Sequence, residues 1–85
     1  MEQKTILWDL EHSRKLRETR GVSFEYINTL IEAGSYNIVE HPTRKNQQVV
    51  VVVICGYPWD VPFVVQEDGS LFLKTAFPNR KRKKQ

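Results

Sequence analysis

A single cysteine, a single methionine and only four glycines leave this 85-residue chain little material for an unusual architecture. Cys55 alone cannot close an internal disulfide, which excludes a disulfide-stapled secreted scaffold and fits a reducing cytoplasm. Its position at the end of the run Val49–Cys55 suggests a buried, inert thiol rather than a nucleophile. That run is the longest apolar stretch, and it is far too short for a membrane helix. The opening MEQKTILWDLEH has acidic residues where a signal peptide requires an apolar segment. There is no Walker loop, no HExxH, and no Cys or His pair at metal-ligand spacing. The expectation is a cytoplasmic protein with no cofactor, no metal and no membrane partner.

What is present points to one domain. A chain of this size buries roughly 60–65% of its extended surface, enough for one modest core. The net charge of +3 comes from one place. Removing the five basic residues of 80–84 from the 13 Lys/Arg leaves eight against 10 Asp/Glu, a net of −2. The domain is therefore read as residues 1–80, followed by a flexible basic tail over 81–85 that repels itself.

Along the chain, Ile6-Leu7-Trp8 reads as a short strand and Asp9 as the N-cap of a charged helix ending at Gly21. Leu16 is the only later apolar residue of that helix, so it is expected to be mostly exposed, with His12 solvated. A second helix is better specified. Ser23 caps it, Val22 can staple onto Ile27, and Phe24, Ile27, Leu30 and Ile31 share one face up to a stop at Gly34. From Ser35 the period shortens. A strand ends at Pro42, and TRKNQQ is a loop. QVVVVVIC reads as a central strand buried on both faces. After a turn at GYP, the segment WDVPFVVQ alternates Trp59, Val61, Phe63 and Val65 against Asp60, Pro62, Val64 and Gln66. Pro62 inside that pattern signals an edge or a bulge. EDGS is a hairpin signal. In SLFLKTAF, Leu71, Leu73, Thr75 and Phe77 are expected on one face, with Phe72, Lys74 and Ala76 on the other. The fold class is α+β: a short N-terminal strand, two helices, then a four-stranded, mainly antiparallel meander with the helices packed on one sheet face.

The string Trp8-Asp9, followed by a charged helix and by Arg20-Gly21-Val22-Ser23-Phe24-Glu25, resembles the start of the BrnT toxins of bacterial type II toxin–antitoxin systems. The blocks IVEHP, VVVVVICGY, VPFV and LFLKTAFPNRK extend the resemblance, in the same order, over nearly the whole chain. The resemblance implies a RelE-like fold and ribonuclease activity that stops translation. It also implies neutralisation by a cognate antitoxin, commonly a ribbon-helix-helix DNA-binding protein, through which alone DNA would be contacted. In such toxins an arginine follows the last strand, and Arg80 matches it.

RNA supplies its own nucleophile, the 2′-hydroxyl. An enzyme then needs a proton acceptor, cations for the phosphorane and an acid for the leaving oxygen. Arg80 is the first candidate for the phosphate, since a guanidinium holds two oxygens at once. His41 has a ring suited to proton transfer near neutrality, or alternatively closes the turn before Pro42. Lys74 is either a third catalytic cation on the open sheet face or a plain solvent-facing lysine. Candidate RNA contacts are Arg44 and Lys45 in the loop, Lys81 and Arg82 in the tail, and the stripe Arg14, Arg17 and Arg20, which reads more readily as a solvated helix flank. Phe72 can stack on a base or pack in the core. The competing function is a non-catalytic module that binds RNA or a protein. His12 and Ser13 stand where such toxins often carry Lys-Asn, and the chain ends soon after Arg80.

Overall fold

The computed structural model describes residues 5–40 and 47–83. In chain order they form β1 (Ile6–Leu7), α1 (Leu10–Arg20), α2 (Phe24–Glu32), β2 (Asn37–Glu40), β3 (Gln48–Ile54), β4 (Tyr57–Val65), β5 (Leu71–Leu73), β6 (Phe77–Pro78) and α3 (Arg80–Lys83). The class is α+β, as the pattern of periods indicates. One mixed sheet runs β1-β5-β4-β3-β2, with β6 paired to β4. β1 is parallel to β5, and every other pairing is antiparallel.

Local signals set both long helices. Asp9 Oδ1 accepts the Glu11 and His12 N–H groups at the start of α1, and Gly21, at φ 76°, ends it by donating its N–H to the Arg17 carbonyl. Ser23 Oγ accepts the Tyr26 N–H, while Val22 and Ile27, the staple pair, are both buried in the core. Helix α2 closes with Ser35 N–H donating to the Leu30 carbonyl across Gly34. The helices cover one sheet face. Leu16, Val22, Phe24 and Ile27 meet Val50, Val52, Ile54, Trp59, Val61, Phe63, Leu71, Leu73 and Ala76 in one core.

A polar clip ties the two helices together. Buried Ser13 donates its hydroxyl to Glu25 at 2.6 Å and accepts the Phe24 N–H at 2.9 Å; Trp8 Nε1 donates to the other Glu25 oxygen at 3.3 Å. The Ser13 hydroxyl is the main reason the Glu25 carboxyl is held below its ordinary value, aided by its own backbone N–H, Trp8 and Ser23. His12, expected in solvent, is half-buried instead. Its ring stacks on Phe24 with centroids 5.7 Å apart, and its Nε2 lies 3.4 Å from Thr75 Oγ1.

One of the two hairpin turns corrects a strand end. The β3–β4 connection is Cys55-Gly56, both at positive φ (53° and 76°), with Tyr57 and Pro58 already in β4. This is the two-residue hairpin geometry whose twist matches the flanking strands. It lifts Cys55 out of the alternation and exposes it, against the expected buried thiol. The EDGS hairpin forms as expected. Asp68 accepts both the N–H and the hydroxyl of Ser70, which holds its carboxyl below the ordinary value.

The larger correction concerns the last strand. Leu73 pairs with Phe63, but Phe77 pairs with Asp60. Three residues, Lys74 to Ala76, therefore face two, Val61 and Pro62, and the extra one makes a β-bulge. The Pro62 carbonyl accepts the Lys74 N–H, so its missing donor faces the same interrupted ladder. Ala76, not Phe77, closes the core side; it is fully buried there. Finally, the expected basic tail begins with structure: Arg80–Lys83 make one helical turn, started by Asn79 Oδ1 accepting the Lys81 N–H. No described helix is long and apolar enough to cross a membrane.

Candidate phosphate-binding cleft

The sheet face away from the helices carries Val49, Val51, Pro62, Val64 and Phe72, set by the same registers that bury their neighbours under α1 and α2. On this face a cleft of about 410 Å³ is lined by Val49, Asp60, Pro62, Phe77, Pro78, Asn79, Arg80 and Lys81. That volume falls within the range of small-ligand sites, roughly 300–1,000 Å³.

Its polar parts are built by one residue. Asn79 donates its backbone N–H to the Pro58 carbonyl at 3.0 Å, which anchors it to β4. Its side-chain Nδ2 donates to Asp60 Oδ2 at 2.9 Å, and its Oδ1 accepts the Lys81 N–H at 3.0 Å. Arg80 is thus held between two anchored positions, with its own side chain exposed at the cleft. Asp60 is only 4% exposed. A carboxylate so buried is costly without partners, and Asn79 supplies one.

The sequence candidates separate into groups. Arg80 and Lys81 come together in the cleft. Lys74 sits beside it, bonded through its backbone to Pro62 of the cleft wall, with an exposed side chain that is not part of the lining. Phe72 is half-buried in the row Leu7–Phe72–Val64 and does not line the cleft either. Arg14, Arg17 and Arg20 belong to the helix layer on the other side of the sheet, and Arg14 is paired with Glu11 at 2.8 Å. The arginine stripe is therefore not brought to Arg80. Arg82 falls in α3. His41, Arg44 and Lys45 lie outside the described residues.

Asp60, Asn79 and Phe77 are the cleft residues that sequence reasoning passed over. Asp60 had a signal: an acid between Trp59 and Val61, both buried, in the middle of an apolar strand. Among the described residues, no cluster of His, Cys, Asp and Glu is arranged to hold a metal ion. Comparison with protein-family models, with curated proteins and with solved structures finds no match.

Proposed function

We propose that this protein is an endoribonuclease of the toxin–antitoxin type, cutting mRNA through the RNA's own 2′-hydroxyl and so inhibiting translation in the cytoplasm. The observation that carries the reading is the cleft beside Arg80, where two cations border an apolar recess with a buried acid in its wall. The ordered sequence blocks that resemble BrnT toxins support it independently.

In this reading Arg80 holds the scissile phosphate and stabilises the charge that grows on its oxygens, with Lys81 as a second cation. Asn79 fixes the Arg80 backbone through its bonds to Asp60, Pro58 and Lys81. His41 is the proposed proton acceptor, a task worth on the order of 10²–10⁴-fold in rate. A cognate antitoxin, of the ribbon-helix-helix kind in the resembling systems, holds the activity in check.

A second reading has an observation of its own. Ser13 and His12, at the places where the resembling toxins carry Lys-Asn, are absorbed into the helix clip and the Phe24 stack. Among the described residues, the cleft lining includes no imidazole. A module that binds RNA without cutting fits these facts. Controlled expression separates the two readings: growth arrest with RNA cleavage, both lost in Arg80→Ala, supports the toxin. RNA binding that weakens steeply with salt and yields no products supports the binding module.

A further inference from the structure

The bulge does more than correct a register. In an unbroken strand, alternation from Leu73 would send the Phe77 ring into the core. The inserted residue prevents this. Thr75 Oγ1 reaches His12 on α1, Ala76 is buried among core residues, and both therefore point to the helix side. Phe77 consequently emerges opposite Asp60 on the other face, half-buried, as a wall of the cleft that Arg80 and Lys81 border. An aromatic ring has been diverted from the core to the face that carries the cations.

The lining divides into three chemistries. Val49, Pro62, Phe77 and Pro78 are apolar, Asp60 and Asn79 are polar, and Arg80 and Lys81 are cationic. A nucleotide divides in the same way, into a flat ring, a polar base edge and an anionic phosphate. Stacking on an aromatic side chain beside a basic groove is how single-stranded RNA is commonly held, and it tolerates any base.

We propose that Phe77 is the base-stacking residue of this cleft, taking one unpaired RNA base against its ring while the adjoining phosphate lies on Arg80 and Lys81. The assignment deepens the proposed function and rests on its claim that the cleft takes RNA. It concerns binding, and it holds whether or not the bound strand is cut.

The test uses the full chain and a short, fluorescein-labelled, uridine-only oligonucleotide, 2′-O-methylated so that it cannot be cleaved. Inorganic polyphosphate serves as a polyanion without bases. Phe77→Leu is expected to weaken the oligonucleotide by roughly 5- to 150-fold, the range that loss of one stacked base gives. The salt slope and the affinity for polyphosphate stay as in the unmodified protein. Phe77→Trp keeps a ring and binds at least as tightly, which guards against a leucine variant that folds poorly. Arg80→Ala instead lowers the salt slope by about 0.7, one single-strand phosphate contact. Oligonucleotide binding unchanged in Phe77→Leu overturns the stacking role alone. So does an equal loss toward polyphosphate, or a Phe77→Trp variant as weak as Phe77→Leu. Failure of the unmodified protein to bind the oligonucleotide overturns the RNA reading as well.

Discussion

The side-chain amide of Asn79 joins a buried acid to a basic turn: its nitrogen lies 2.9 Å from Asp60 and its oxygen 3.0 Å from the Lys81 N–H. Arg80, the proposed phosphate-holding residue, sits between the anchored residue and the capped one. The consequence is measurable. Asn79→Ala removes the cap and the Asp60 contact, and should cost about 0.5–2 kcal/mol in chemical denaturation. Asn79→Ser retains an acceptor for the Lys81 N–H and should recover most of that loss, but it does not recover the bond to Asp60. If both variants are as stable as the parent, the turn is held by something else.

The clip at Glu25 predicts an acid-side signature. Its folded-state carboxyl is depressed, chiefly by the Ser13 hydroxyl, so its stabilisation is fully present above the ordinary value of 4.5. That stabilisation is lost as pH falls through the folded-state value. Ser13→Ala should flatten this part of the stability–pH curve. It should also cost about 1–3 kcal/mol at neutral pH, because the buried Phe24 N–H loses its acceptor. Urea melts of both proteins across pH 3 to 7 check both effects.

At the β3–β4 turn, Cys55 holds a left-handed conformation that costs most L-residues about 1–2 kcal/mol but that asparagine adopts readily. Cys55→Asn should raise the stability by about 1 kcal/mol, and Cys55→Val should lower it. The exposed thiol should also react with a maleimide in the native state, read by mass spectrometry.

Ala76 reports on the bulge. Its side chain is fully enclosed on the helix side, so Ala76→Leu should overpack the core and cost about 1–3 kcal/mol. If Phe77 filled the core instead, position 76 would face the cleft, and the larger residue would be nearly neutral. Thermal melts decide between these.

How much of this was legible in the sequence depends on how local each cause is. The helix ends, the staple of Val22 on Ile27 and the EDGS hairpin are set by residues a few positions apart, and the sequence carries them plainly. The anomaly of Pro62 was legible as well, though not its resolution, because the bulge sits in the partner strand, at Lys74 to Ala76. That one insertion reversed Ala76 and Phe77 and hid the cleft. His12 was misjudged because its partners, Phe24 and Thr75, come from other elements. Asp60 and Asn79 meet across 19 positions, and no local pattern announces the pair. Arg80 was a candidate because it follows a strand stop, and the structure places it at the edge of the cleft.

The most direct measurement is cleavage of a single-stranded RNA by the purified chain, followed on denaturing gels beside Arg80→Ala and Arg80→Lys. The proposed ribonuclease activity should give fragments ending in 2′,3′-cyclic phosphate from the unmodified protein, none from a 2′-O-methylated substrate, and a loss of at least about 100-fold in Arg80→Ala. Arg80→Lys, which keeps the charge but not the planar fork, should fall between them. Intact RNA with the unmodified protein, or equal cleavage by Arg80→Ala, would contradict it.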